Sequence, residues 1–311
     1  MKPYVKQRPL ARLRHWYGKS VMAVRERQRR KELGRRRAHD AAERALPDFL
    51  VVGVQKGGTT ALFDYLCTHP AVVEPIQKET HFCYTPSQDP ERDFRSFFPL
   101  RAELDTVAAS NNGVAITGEA TPETMFTART LDRTCRALDA GGAAPKIIAV
   151  IRDPVARAYS QHNHNLRRRL DRETSFASAI DSEDKRSKDA LARFEAQESA
   201  VFEGAVQNLT YLARGRYAEQ VERLFERFGR DRVMVIQSER LFGDTHTVFA
   251  NVLAFLGLTP RTIDATPRNA NVYGKLDPAL AERLKQKTAP WNERLYEILG
   301  ERYDWGDPPA S

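Results

Sequence analysis

The fold is decided by residues 48–62, which read Asp48-Phe49-Leu50-Val51-Val52-Gly53-Val54-Gln55-Lys56-Gly57-Gly58-Thr59-Thr60-Ala61-Leu62. The apolar run at its start predicts a short buried strand, and the apolar spacing after Thr60 predicts a helix. The glycines between them let the main chain curl around an anion, which the amides and dipole of a helix N-terminus then face. We therefore expect a phosphate-binding loop; the alternative is an ordinary strand-to-helix turn of an α/β protein.

This loop differs from a Walker A motif in an informative way. Gly53 and Gly58 have the G-x-x-x-x-G spacing, but Thr59 and Thr60 stand where Lys and Ser/Thr should follow. The lysine lies inside the loop, at Lys56. This arrangement weakens the case for Mg²⁺ and for ATP or GTP, and favours a nucleotide with a diester-like group at its 5′ end.

Composition limits the class and the compartment. The 311 residues contain no apolar run of transmembrane length, and the N-terminus is too charged for a signal peptide. The three cysteines form neither a C-x-x-C pair nor a zinc-type spacing, which favours a reducing compartment. We expect a cytoplasmic protein without a metal site.

The charge divides the chain into a basic N-terminal arm, residues 1–46, and a main domain, residues 47–308. Residues 1–45 hold 15 Lys/Arg and four acidic residues, which gives them a net charge of +11. Since the whole chain carries +8, the remaining residues carry −3. Apolar residues at helical spacing in the arm, from Leu10 to Val24, predict a basic amphipathic helix that rests on an anionic membrane or a polyanion. The alternatives are a solvated extension or a helix packed on the main domain. The near-neutral main domain argues against nucleic acid as the main partner.

Strands alternating with helices predict an α/β fold with a mostly parallel sheet between two layers of helices. The clearest strands are residues 146–151 and 233–236, with weaker ones at 71–75 and 114–119. Residues 89–100 are expected to be a surface segment, and 181–189 and 259–277 to be loops. The predicted helices cover residues 123–138, 217–228, 247–256, 278–287 and 291–299.

Two strand-to-helix junctions carry the candidate binding residues. The first is the loop at 53–60, and the second follows the strand at 146–151 and contains Arg152 and Ser160. In a parallel sheet both junctions lie at the carboxyl ends of their strands, where ligands bind. A nucleotide with phosphates at both ends of its ribose would use both.

With these two motifs in order, the sequence resembles the sulfotransferase superfamily that uses 3′-phosphoadenosine 5′-phosphosulfate (PAPS). Residues 52–62 resemble its 5′-phosphosulfate loop, and Ile148-Ala-Val-Ile-Arg-Asp-Pro-Val-Ala-Arg-Ala-Tyr-Ser160 resembles its 3′-phosphate motif. The likeness continues through Gly215-Arg-Tyr217 and residues 233–258. The segment Lys78-Glu79-Thr80-His81-Phe82 is closest to the heparan-sulfate-type branch and its bacterial relatives.

The resemblance implies a P-loop-like fold, PAPS as co-substrate without a metal, and transfer to a hydroxyl or amine of a carbohydrate or glycolipid. It implies that Lys56 stabilises the leaving phosphate oxygen and that Glu79 is the general base, with His81 as the second choice. Residues 268–275 are a candidate lid over the nucleotide. The implied nucleotide-binding residues are Gln55, Lys56, Gly57, Gly58, Thr59, Thr60, Arg152, Ser160 and Tyr217.

The pattern also departs from that family. Glycan sulfotransferases often carry Glu-Lys-Ser/Thr-Pro after the third strand, where this chain has Glu119-Ala120-Thr121-Pro122, so the lysine is missing. Two rivals remain open: a P-loop nucleotide kinase or NTPase, and a non-enzymatic membrane- or polyanion-binding protein led by the arm. The absent Gly-Lys-Ser/Thr and the lack of a clear Walker B acid argue against the kinase or NTPase.

Overall fold

The centre of the molecule is a parallel sheet of four strands in the order β2-β1-β3-β4. The computed structural model describes residue 24, residues 26–265 and residues 274–305. The strands are β1 (Phe49–Gly53), β2 (Gly118–Glu119), β3 (Lys146–Ile151) and β4 (Val233–Gln237). Leu50 of β1 pairs with Ile147 of β3, and Ile148 of β3 pairs with Met234 of β4. The predicted parallel α/β fold is therefore confirmed.

The helices of the described residues cover both faces of this sheet. A first helix, α1, covers residues 26–39. The others are α2 (Thr59–Cys67), α3 (Pro90–Arg95), α4 (Arg101–Ala109), α5 (Ala128–Ala140), α6 (Pro154–Arg168), α7 (Phe176–Asp181), α8 (Glu183–Glu195), α9 (Gly204–Leu209), α10 (Tyr217–Phe228), α11 (Ser238–Gly243), α12 (Thr245–Leu256) and α13 (Pro278–Leu299). None of the described helices combines the length and apolar character needed to span a bilayer.

Strand β1 shows how the sequence builds the three layers. All five of its residues are buried, because successive side chains point to opposite faces and both faces are covered. Leu50 and Val52 join the core formed with α5, α10 and α13. Phe49 and Val51 join the core formed with α2 and α12.

Several predicted elements were wrong at their limits, because contacts distant in sequence outweighed the local pattern. Residues 71–75 form no strand, since only Val72 makes a bridge, to Ile116. The predicted strand at 114–119 is reduced to the two residues of β2. Helix α5 begins at Ala128 instead of residue 123, because the Thr127 side chain caps it by accepting a hydrogen bond from the Thr130 amide.

Three further predictions were wrong in kind. Residues 89–100 are no surface segment: they contain α3, and their aromatic residues Phe94, Phe97 and Phe98 are buried in the core. Residues 181–189 are mostly the start of α8 and not a loop. The two predicted C-terminal helices are one helix, α13, which continues through Pro290.

The described part of the basic arm packs on the main domain. Leu33 of α1 is buried in the core, and Arg37 forms an ion pair with Asp93. Buried Arg44 pairs with Asp40 and donates a 2.8 Å hydrogen bond to the Phe98 carbonyl. For residues 26–46 the packed-helix alternative is therefore the observed one, whereas Leu10 and the stripe up to residue 23 lie outside the described residues.

Candidate active site

The loop between β1 and α2 has the close-packed shape expected of an anion site. Lys56 and Gly58 have φ values of +70° and +106°, so the chain turns sharply before α2 begins at Thr59. A Cβ atom on Gly57 would lie 2.5 Å from the Val150 carbonyl oxygen, which only glycine avoids. No side chain caps the N-terminus of α2, so the amides of Gly58, Thr59 and Thr60 are placed to donate to an anion.

Two arginines after β3 donate hydrogen bonds to main-chain carbonyls of this loop. Arg152 donates to the Lys56 carbonyl at 3.2 Å, and fully buried Arg157 donates to the Gln55 carbonyl at 3.4 Å. Arg157 also donates to the Tyr211 carbonyl and to Gln161, while burial lowers the pKa of its guanidinium to about 10. The structure thus brings the two predicted junctions together at the carboxyl edge of the sheet.

The mouth of the loop is crowded with positive charge. Burial lowers the pKa of Lys56, and the neighbouring Arg167, Arg152 and Arg157 lower it further. His164 has its pKa lowered to about 4 by burial and by Lys56, Arg167 and Arg168. An anion bound here would relieve this repulsion, so the electrostatics favour an anionic ligand.

The other two nucleotide-binding candidates on this side are buried. Ser160 lies on α6 and is 5 % exposed. The Tyr217 hydroxyl donates to the Arg152 carbonyl at 2.8 Å, and the ring is fully buried. Tyr217 therefore supports the Arg152 main chain, and contact of its own side chain with the nucleotide stays a prediction.

Glu79 is linked to the loop through its neighbour Lys78. Its carboxylate contacts the ammonium of Lys78 at 2.7 Å and the Nε2 atom of His81 at 3.6 Å. The same ammonium donates to the Thr60 hydroxyl at 2.6 Å. The predicted base and the predicted anion loop are therefore adjacent, joined by Lys78, to which the sequence motifs assign no role.

The imidazole ring of His81 is held in place by stacking on a neighbouring aromatic ring. Its ring stacks on Tyr84, with centroids 4.7 Å apart, and its φ of +52° is left-handed. Its buried Nδ1 atom makes no hydrogen bond within the described residues.

A buried carboxyl, that of Glu119, fixes the segment that carries Glu79. Glu119, at the end of β2, accepts hydrogen bonds at 3.2 Å from the amide and the hydroxyl of Thr80, and a third from the Thr121 hydroxyl. The Thr121 hydroxyl oxygen also accepts from the His81 amide. Burial raises the pKa of Glu119 to about 7, although these hydrogen bonds act in the opposite direction.

Sequence reasoning missed Lys78, Glu119 and Arg157 as parts of this site. Each lay inside a quoted motif, but the partners that give them roles are distant in sequence: Thr80 and Glu119 are 39 residues apart, and Gln55 and Arg157 are 102 apart. The lid candidate at 268–275 lies almost wholly outside the described residues. Within the described residues, no group of His, Cys, Asp and Glu side chains could hold a metal ion.

Comparison with known proteins supports the predicted family resemblance. The model of the sulfotransferase domain matches residues 140–272, which include the Arg152 junction and β4. Human heparan sulfate glucosamine 3-O-sulfotransferase 6 is 26% identical over 300 residues, which cover 86% of this chain and 76% of that protein. Human heparan sulfate glucosamine 3-O-sulfotransferase 3A1 is 24% identical over 298 residues, covering 86% of this chain and 64% of that protein.

A solved structure extends the similarity to the fold. The crystal structure of a sulfotransferase from Alicyclobacillus acidocaldarius superposes with a TM-score of 0.59 at 28% identity, covering 83% of this chain and 98% of that one. Sequence motifs, domain model, relatives and fold agree, and together they support the predicted resemblance to the PAPS-dependent sulfotransferase superfamily.

Proposed function

We propose that this sulfotransferase moves a sulfuryl group from PAPS to a hydroxyl or amine of a carbohydrate or glycolipid, with Glu79 as general base. The observation that carries the proposal is the adjacency of the anion loop and Glu79 across the Lys78 ammonium. One side of the site can bind the donor, while the other can deprotonate an acceptor. The carbohydrate acceptor is supported by the relatives, which are heparan sulfate glucosamine 3-O-sulfotransferases.

The donor would lie across the two junctions. The loop amides of Gly58, Thr59 and Thr60, with the side chain of Gln55 at the edge, would surround the 5′-phosphosulfate. The Gly57 amide donates to the Val54 carbonyl at 2.9 Å, so Gly57 would contribute the tight turn of the loop and not a donor. Arg152 would bind the 3′-phosphate by charge-assisted hydrogen bonds, with Ser160 on the same side. Tyr217 acts in this scheme through the Arg152 main chain.

Transfer then needs one base and stabilisation of one leaving group. Glu79 takes the proton of the acceptor as its oxygen or nitrogen forms a bond to sulfur. The bond between sulfur and the 5′-phosphate oxygen breaks, and its electron pair remains on that oxygen. Lys56 stabilises the negative charge that develops there, which is the type of interaction that usually contributes most to catalysis. His81, at 3.6 Å from Glu79, is the second candidate for the base.

Nucleotide binding is tested by thermal unfolding. The product 3′-phosphoadenosine 5′-phosphate (PAP) should raise the melting temperature, because a ligand that binds only the folded state stabilises it by mass action. ATP with Mg²⁺ should not. The reverse pattern would overturn the proposal in favour of a nucleotide kinase or NTPase.

The base is tested with Glu79→Gln. This variant should lose at least about 100-fold in the rate of transfer of ³⁵S from labelled PAPS, while it keeps the PAP-induced shift. Retained turnover in Glu79→Gln, together with its loss in His81→Gln, would assign the base to His81. Labelling of a cell extract with ³⁵S-PAPS, followed by isolation of the labelled product, identifies the acceptor.

A further inference from the structure

Lys78 lies between the two halves of the site. Its ammonium donates to the Thr60 hydroxyl in the first turn of α2, at 2.6 Å, and contacts the Glu79 carboxylate at 2.7 Å. Its side chain is 22 % exposed, so the charge is held in place and not free in solvent. An ammonium has three N–H donors, and these two contacts use two of them. The third is available to an oxygen of a ligand that enters between the loop and Glu79.

The main chain explains why a lysine at position 78 reaches this place. The Ala120 amide donates to the Lys78 carbonyl at 2.8 Å, so residues 78 and 120 are direct neighbours across the edge of the sheet. Ala120 is fully buried and its side chain carries no charge. Position 120 is where the glycan-type pattern has a lysine, and in this chain the residue hydrogen-bonded to it on the neighbouring segment is a lysine.

The negative charge on the transferred sulfuryl group could be stabilised by the Lys78 ammonium. The transferred SO₃ group carries three oxygens, which lie between the 5′-phosphate and the acceptor when the bonds exchange. Lys56 is on the phosphate side, among the arginines that follow β3. Lys78 is on the side of Glu79, where the acceptor loses its proton. A donor held there would stabilise charge on the sulfuryl oxygens, which is worth most where solvent is excluded.

We propose that Lys78 is a second catalytic cation of this enzyme, which contacts a non-bridging oxygen of the sulfuryl group and holds Glu79 towards the acceptor. This inference rests on the proposed function. Lys78 keeps its own proton throughout: the acceptor proton goes to Glu79, the new bond forms between the acceptor and sulfur, and the electron pair of the broken bond stays on the phosphate oxygen. Thr60 acts with it, by fixing the ammonium against the N-terminus of α2.

The test uses the difference between PAPS and PAP, because PAP lacks the sulfuryl group. Lys78→Met should lower the single-turnover rate of PAP formation from PAPS, with a glucosamine oligosaccharide as acceptor, by about 100-fold or more. Its dissociation constant for PAP should stay within about threefold of wild type. Lys188→Met, on the exposed face of α8, is the matched control and should change neither quantity.

The outcomes separate the two claims. A wild-type protein that neither binds PAP nor forms it from PAPS would overturn the proposed function, and the role of Lys78 with it. An active wild type whose Lys78→Met variant keeps its rate would overturn the role of Lys78 alone. A loss of PAP affinity as large as the loss of rate would also overturn it, because Lys78 would then act on the nucleotide. If Lys78→Met does not fold, Lys78→Gln is judged by the same two measurements.

Discussion

Lys56 shows how a single residue couples stability to ligand binding. Burial lowers the pKa of its ammonium, and the neighbouring Arg167, Arg152 and Arg157 lower it further. A lysine with a lowered folded-state pKa destabilises the folded protein wherever it is charged, and this loss is recovered as pH rises towards its ordinary pKa of 10.5. An anionic ligand relieves the same repulsion without a change in pH.

We therefore expect Lys56→Met to stabilise the ligand-free protein at neutral pH and to abolish the response to PAP. Thermal unfolding with and without PAP measures both effects. Lys188→Met, on the exposed face of α8, should leave the melting temperature and its response to PAP unchanged. A Lys56→Met variant that PAP still stabilises fully would contradict the role of Lys56.

Glu119 makes the stability of the protein depend on pH in the acidic to neutral range, whereas Lys56 does so in the alkaline range. Its pKa is raised from 4.5 to about 7, so between these values the folded protein binds a proton that the unfolded chain does not. The free energy of unfolding should therefore fall as pH rises from about 4.5 to about 7. Gln at this position removes the titration and keeps an oxygen that can accept from Thr80.

Glu119→Gln should accordingly gain stability relative to wild type between pH 5 and pH 8. The gain is of the order of 2–3 kcal/mol, from about 1.4 kcal/mol for each pKa unit. Urea unfolding of both proteins at the two pH values measures it. Parallel pH dependences for the two proteins would show that Glu119 titrates near its ordinary value.

At the scale of elements, the β1–α2 loop depends on glycine at position 58. Its φ of +106° is a left-handed conformation, and a Cβ there would lie 2.9 Å from the Cζ atom of Phe242 on α11. Gly142, after α5, also has a positive φ, of +67°, but a Cβ there would meet nothing within 4 Å. Both glycines thus have a positive φ, but only at Gly58 would a Cβ atom also meet a neighbouring side chain.

Gly58→Ala should therefore lose more stability than Gly142→Ala, for which a cost of about 1–2 kcal/mol is expected from the backbone alone. Gly58→Ala should also weaken PAP binding, since the N-terminus of α2 has to move, whereas Gly142→Ala should bind PAP normally. Chemical denaturation and PAP titration of both variants provide the comparison. Equal losses would mean that Phe242 moves aside.

The elements differ in how far local sequence predicted them. β3, β4 and α10 were predicted correctly, because a β-branched run and a clear apolar stripe favour one structure each. α3 was missed because the residues around Phe94 and Phe97 alternate with charges, and only packing against the rest of the core shows them to be buried. α13 was divided at Pro290, because a proline inside a helix is a local stop signal that tertiary contacts can override.

At the scale of the whole molecule, the basic arm has two parts. Residues 26–46 belong to the packed structure: Arg95 donates to the Arg44 carbonyl, and the Ala45 amide donates to the Pro99 carbonyl at 3.0 Å. Residues 1–25 carry seven Lys/Arg and no acidic residue. Contact with an anionic membrane, the cytoplasmic location and the domain boundary at residue 46 all stay predictions. Because residues 1–25 carry positive charge without any acidic residue, we expect any membrane contact to involve these residues.

Two truncations separate these roles. A protein that begins at residue 47 should melt at a lower temperature, because Arg95 and Phe98 lose the partners that Arg44 supplies. A protein that begins at residue 26 should keep these contacts and bind PAP normally, but should bind phosphatidylserine vesicles more weakly than the full chain. Phosphatidylcholine vesicles are the control. Equal vesicle binding by the full chain and the chain from residue 26 would remove the membrane role of residues 1–25.

The sequence by itself determined the strand, the glycine loop and the helix at 48–62, the parallel α/β class and the resemblance to the sulfotransferases. These follow from residues close together in the chain, where spacing and residue type act directly on local conformation. Only the tertiary structure decided that Lys78 joins the loop to Glu79, that Glu119 fixes Thr80, and that Arg157 supports the loop. Those contacts join segments far apart in the chain, which meet only when the sheet has formed, and no local pattern encodes them.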